Sequence, residues 1–181
     1  VDAGDFTGRL LNGERVLWLG RPSQGLLFTS RDWLMIPFSL LWGGFAIFWE
    51  ATVLQTRSSA PLLFKLWGVP FILIGLYLIA GRFVFDAWIR RKTRYALTNQ
   101  RILIARSGGF GTFTAVGLDG VPDVQLKAQA NGRGTMHFGR PAPNWGRAAV
   151  WTPALDPTPQ FMAIDNAQAV FDQIQRAIRA A

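Results

Sequence analysis

The sequence predicts a transmembrane α-helical hairpin joined to an α+β domain, in which a bent antiparallel sheet or partial barrel is capped by a C-terminal amphipathic helix. Three observations point there. Two long uncharged apolar runs occupy much of the first half of the chain, a cluster of cations follows the second run directly, and the apolar period then changes to two residues and finally to three and four. The resulting boundaries are an N-terminal cytoplasmic segment over 1–31, the hairpin over 32–92 and the α+β domain over 93–181.

The first run, "WLMIPFSLLWGGFAIFW", covers residues 33–49 between Asp32 and Glu50. The second, "LWGVPFILIGLYLIAG", covers 66–81 and continues as "FVF" beyond Arg82. A helix needs about 17–25 residues to cross ~30 Å of hydrocarbon, which predicts membrane helices near 33–52 and 65–89. The second reaches that length when Arg82 snorkels, or when Leu62, Leu63 and Phe64 join it around Lys65. Neither run carries the polar face expected of a helix in a soluble core. Trp33, Trp49, Trp67 and Trp88 fall near the run ends, where indole rings favour the headgroup level, and are the candidate membrane anchors. Trp42 lies mid-run and is expected to pack on the partner helix. Gly43, Gly44, Gly68, Gly75 and Gly81 permit close helix approach without forming a GxxxG pair.

Charge orients the hairpin. The link "EATVLQTRSSAPLLFK" carries only the cations Arg57 and Lys65, whereas Arg90, Arg91, Lys92 and Arg94 follow the second run. Positive charge collects on the cytoplasmic side, so both chain ends are expected there. Those four residues and Arg82 are the candidate contacts to anionic headgroups, each cation near such a surface contributing about 1 kcal/mol. Arg82 and Asp86 stand four apart and are expected to pair on one helix face as an interfacial anchor. The net charge of +8, with 16 of the 19 cations being Arg, suits anionic lipid, acidic partners or nucleic acid. The aromatics lie mostly in the apolar runs and the cations cluster at their exit, a distribution that favours membrane contact over single-stranded nucleic acid. The first thirty residues carry Asp2, Asp5 and Glu14 and no long apolar core, unlike a signal peptide.

Beyond the basic collar the period changes. "TRYALT" and "RILIAR" flank Asn99 and Gln100 as strand, tight turn and strand. "GTFTAVGL" follows a glycine-rich bend. In "VQLKAQA", Val124, Leu126, Ala128 and Ala130 alternate with polar residues, the pattern of a half-buried strand. Asn131-Gly132 marks a hairpin, and "TMHFG" returns as its partner. The Pro-rich stretch after it is loop-like, with one short strand expected at 147–151. Ala167, Val170, Phe171, Ile174, Ala177 and Ile178 then form one apolar stripe on a closing helix. Asp165 and Gln168 resemble a capping box, and Phe161 and Ile164 are expected to anchor the start of the helix. "GERVLWLGRP" near the start suggests an early strand or a membrane-flanking element.

Taken in order, "GERVLWLGRP", the hydrophobic pair, "YALTNQRILI", "GRGTMHFG" and "AQAVFDQIQRAI" resemble the small two-helix inner-membrane proteins of the bacterial pleckstrin-homology-like (PH-like) family. The resemblance covers most of the chain. It implies a cytoplasmic PH-like domain of seven strands capped by the last helix, in a fold that binds lipids, peptides or proteins and has no shared catalytic site.

The residues themselves offer little chemistry. The absence of cysteine excludes disulfides, thiolate metal sites and a Cys nucleophile. His137 is the one histidine, and alternation places it opposite Met136 and Phe138, on an exposed face. Asp119 and Asp123 bracket a turn, and the "SGGFG" glycines lack the Lys and helix of a phosphate loop. The expectation is therefore a non-catalytic membrane-anchored binding or scaffold protein with no cofactor, whose partners are membrane lipids, other membrane proteins or a second copy. The alternative is an accessory or assembly subunit of a larger membrane complex.

Overall fold

The computed structural model describes residues 6–30, 32–55, 66–121, 123–129, 131–139 and 152–180. The chain divides into two compact units, a β-rich one of Val1–Gly25 with Asp86–Ala181 and a helical one of Leu26–Phe85.

In the helical unit, α1 (Asp32–Gln55) is followed by α2 (Val69–Leu76), a π-helical turn (Tyr77–Gly81) and α3 (Arg82–Arg91), whose last turns belong to the β-rich unit. Asp32–Gln55 and Val69–Arg91, of 24 and 23 residues, are long and apolar enough to cross a membrane, with mean hydropathies of 1.4 and 1.8. Only 22% of the most apolar stretch of each helix is buried within the chain, whereas the core helix of a soluble protein is mostly buried. Asp32 starts α1 by accepting the Thr29 N–H at 2.6 Å and the Thr29 hydroxyl at 2.9 Å. The two helices meet at glycines: a Cβ on Gly75 would lie 2.8 Å from the Cα of Gly43. Trp42 packs on the second helix through Phe71, ring centroids 6.4 Å apart, as expected. Arg57 and Lys65 of the link lie outside the described residues.

The β-rich unit holds two antiparallel sheets. One has the order β1 (Val16–Gly20), β2 (Thr93–Thr98), β3 (Arg101–Arg106) and β4 (Thr112–Gly117); the other has β5 (Val124–Ala128), β6 (Gly134–Phe138) and β7 (Gln160–Ile164). The C-terminal helix α4 (Ala167–Ala180) completes an α+β unit. Tyr95, Leu97 and Ile102 of the first sheet, Met136, Phe138 and Phe161 of the second, and Val170 and Ile174 of α4 share one core. A smaller cluster of Phe6, Ala96 and Leu103 covers the opposite face of the first sheet. The predicted turn at Asn99–Gln100 is present, and Asn99 Oδ1 accepts the Arg15 N–H at 2.7 Å.

Several expectations need correction. The N-terminal segment expected over 1–31 is divided: within it Val16–Gly20 pairs with β2 in the sheet, the helical unit begins at Leu26, and the hairpin is thus inserted between two paired strands. Phe161 and Ile164 belong to β7, all five of whose residues are buried, so its sequence shows no alternation to read. Ala163 sits at φ +44° at the irregularity opposite Gly134–Met136, where β7 bulges. The capping box does not form: Asp165 pairs with Arg133 at 3.0 Å and Gln168 donates to Asp172 at 3.1 Å. Along the stripe Ile174 is buried, whereas Phe171 is only partly buried against the core. The strand expected at 147–151 lies outside the described residues.

Candidate functional site

Register builds a polar cleft at one end of the first sheet. Strand alternation puts Thr93 and Tyr95, Ile104 and Arg106, and Thr112 and Thr114 on one face of their strands. Pairing then aligns them in rows: Tyr95 beside Ile104 and Thr114, and Thr93 beside Arg106 and Thr112. The next row inward, Leu97 with Ile102 and Val116, lies in the core. A single sheet face thus passes from apolar to polar within three rows. Ala154–Gln160, Met162 and Arg90 close the space over those rows, leaving a cleft of about 340 Å³.

Arg90 forms one wall. It is 1% exposed, and its Nε donates to Asp86 Oδ2 at 2.7 Å. Nη1 donates to the Ser23 carbonyl and Nη2 to the Gly25 carbonyl, the latter at 2.6 Å. Asp86 Oδ1 accepts the Ala154 N–H at 2.8 Å. This buried pair ties α3, the segment before the hairpin and the 152–155 turn together, and its charges are spent on protein partners.

Arg106 differs. Nη2 donates to the Ala154 carbonyl, but Nε is buried and has no hydrogen-bond partner. Burial pushes its guanidinium pKa down, against the opposing pull of Tyr95 and Asp86. Tyr95, 2% exposed, accepts the Met162 N–H at 3.1 Å, and its own hydroxyl proton has no acceptor among the described residues. Burial pushes the phenol pKa up, which keeps that proton in place. The cleft therefore presents two open donors, Arg106 Nε–H and Tyr95 O–H. The one carboxylate among the described residues that line it, Asp156, accepts the Thr158 N–H at 2.9 Å. The arrangement suits an acidic oxygen, because a buried donor left unsatisfied is costly and a charge-assisted hydrogen bond relieves that cost.

The expected site residues separate. Arg82 does not pair with Asp86: it reaches Asp32 at 2.9 Å across the helical hairpin and is 3% exposed, while Asp86 is taken by Arg90. Arg82 and Arg90 are thus corrected from lipid-facing cations to buried ion-pair members. Both are buried beside a carboxylate partner, and Arg82 Nε and Nη2 are buried without a hydrogen-bond partner of their own. Arg91 is exposed. Lys92 is half-buried, with Nζ 3.8 Å from the Trp88 ring centre. Arg94 is half-buried and donates to the Arg91 carbonyl at 2.7 Å. Trp33, Trp49, Trp67 and Trp88 are all exposed. His137 does face away from Met136 and Phe138, but it is half-buried rather than exposed; its Nδ1 has no partner, and burial pushes its pKa down. Among the described residues no cluster of His, Cys, Asp or Glu could hold a metal.

Sequence reasoning missed Arg106 and Tyr95 as a pair. The signal was present in the alternation of "TRYALT" and "RILIAR", but the register that joins them lies in the pairing of the strands. No family model, curated protein or solved structure matches the chain.

Proposed function

We propose that this chain is a non-catalytic, membrane-anchored binding module of the PH-like type at the cytoplasmic face of a bacterial inner membrane. Its cleft receives an acidic group from a membrane protein or an anionic lipid headgroup. The observation that carries the reading is the open pair of buried donors, Arg106 Nε and Tyr95 O–H, over a space of about 340 Å³. Supporting it are the seven strands found among the described residues and the closing helix, the strand number and the cap that the PH-like resemblance implies. Two helices of spanning length with exposed apolar surfaces support the anchor, and exposed Arg91 beside half-buried Lys92 and Arg94 supports a cytoplasmic exit. A short tether holds weak contacts at high effective concentration, so one modest anion site suffices for function.

A photo-crosslinking residue at Thr112, on the cleft rim, tests the ligand in cells expressing the full chain. Adducts to a membrane protein or to anionic phospholipid are expected, and Arg106→Gln is expected to reduce them at least several-fold. Adducts unchanged by that substitution would refute the cleft as the site. Adducts dominated by one stoichiometric membrane protein would favour the accessory-subunit version. An enzymatic turnover abolished selectively by His137→Ala would overturn the non-catalytic reading.

A further inference from the structure

The helical unit holds a second cleft, of about 310 Å³, whose chemistry is the opposite of the first. Trp42, Phe45 and Trp49 of α1 form one side, and Trp67, Gly68 and Phe71 form the other. Spacings of three, four and seven residues put the α1 aromatics on one helix face. Directly beside this cleft is Glu50, which is 6% exposed. Its Oε2 is buried without a hydrogen-bond partner. Gly68 connects the two features: a Cβ there would lie 1.9 Å from Glu50 Oε2, so the bare backbone that walls the cleft is also what leaves room for the carboxylate.

Glu50 stands apart from the other buried carboxylates. Glu14 is paired with Arg101, Asp32 with Arg82 and Asp86 with Arg90, at 2.7, 2.9 and 2.7 Å. Glu50 alone has no cationic partner among the described residues. Burying a carboxylate without a counter-charge is strongly unfavourable, so an external cation at this place gains both the charge and the low local dielectric. The aromatic lining narrows the kind of cation. A small hydrated metal ion needs several oxygen ligands, which Trp and Phe do not supply. Indole faces and one carboxylate are instead what an organic ammonium group takes, through cation–π contact and ion pairing.

We infer that this cleft binds the ammonium headgroup of an amine-bearing phospholipid at its Glu50 end, with Glu50 as counter-ion and the indoles of Trp49 and Trp67 beside it. The inference rests on the reading of this unit as a membrane hairpin. Charge complementarity selects the headgroup. Leu41, Phe45 and Phe48, exposed by 73, 63 and 68%, give its acyl chains an apolar surface on the same helix.

The experiment uses the full chain in nanodiscs of phosphatidylglycerol, with and without phosphatidylethanolamine, read by native mass spectrometry of co-ejected lipid. Phosphatidylethanolamine is expected to be retained in about tenfold excess over its bulk ratio. Glu50→Gln is expected to abolish the excess, and Trp67→Leu to reduce it while leaving the carboxylate in place. Equal retention of the two lipids by the unaltered chain would overturn the inference without requiring any variant to fold, and would leave the anchor reading intact. Retention unaffected by both substitutions would also overturn it. Release of the chain from the bilayer by alkaline carbonate would overturn the anchor reading and this inference together. Displacement of the excess by free ethanolamine at millimolar concentration, with no dependence on acyl chains, would overturn the lipid source.

Discussion

At the scale of single residues, Glu14 carries a load its sequence context does not announce. Its carboxylate accepts Arg101 Nη2 at 2.7 Å and Nε at 3.1 Å, the Thr98 hydroxyl at 2.7 Å and the Leu11 N–H at 2.7 Å. The Arg101 hydrogen bond is the main cause that lowers its pKa from 4.5 to about 2, with burial opposing. A carboxylate depressed by folding stabilises the native state above its unfolded pKa and loses that contribution as pH falls through its folded pKa. Stability of the β-rich unit is therefore expected to fall between pH 4.5 and about 2. Glu14→Gln should cost about 2–3 kcal/mol at pH 7 and flatten that acid limb. Amide exchange of β2 and β3 in the full chain, measured across that pH range, reads both effects. In α4, Ile174→Ala should cost about 2–5 kcal/mol because the side chain is wholly buried. Phe171→Ala should cost roughly half of the usual 3–5 kcal/mol, since its ring is only partly covered. Thermal unfolding in detergent separates the two substitutions; equal costs would contradict this packing.

At the scale of elements, close approach decides where small residues must stand. A Cβ on Gly134 would lie 2.7 Å from the Ala167 Cβ and 3.1 Å from the Lys127 carbonyl oxygen. Gly134→Ala should therefore cost about 1–3 kcal/mol by overpacking where α4 meets β5 and β6. Gly75→Leu should force α1 and α2 apart, because Gly43 backbone occupies the space its side chain would need. A cysteine pair placed across this crossing reports the separation as lost crosslinking. Much of the element pattern was legible. Alternation in "VQLKAQA", the two-residue turn at Asn99 and the apolar stripe of α4 each follow from local geometry. β7 was not legible because it is buried on both sides, and such a strand reads as a plain apolar run. The Asp165–Gln168 capping box is not formed because the helix starts at Ala167, which puts Asn166, at φ +51°, and not Asp165 in the cap position.

At the scale of the whole chain, the hairpin is an insertion. β1 and β2 are sheet neighbours, yet the whole of Leu26–Phe85 lies between them. Interrupting a strand pair in this way leaves both ends of the insertion leading into one folded unit, so a reporter fused at the C-terminus and one at Ser58 should report opposite sides of a membrane. Same-side signals would refute the hairpin topology. Replacing Arg91, Lys92 and Arg94 by Gln should scramble this orientation while leaving the β-rich unit folded, because none of the three is among its buried residues.

What the sequence determined by itself is whatever depends on near neighbours: two apolar helices of spanning length, the period-two strands, the tight turn and the amphipathic closing helix. Length, period and turn chemistry are local, so a linear reading recovers them. The tertiary structure alone decided which charges are spent and which remain open. Arg90 looks like part of a basic collar, but the fold buries it against Asp86 and two carbonyls contributed from more than sixty residues away. Arg82 finds Asp32 rather than Asp86, and Arg106, unremarked at the end of a strand, keeps a buried donor unsatisfied beside Tyr95. Ion pairing and burial depend on strand register and helix contact, which join residues distant in the chain, and no local pattern encodes those distances.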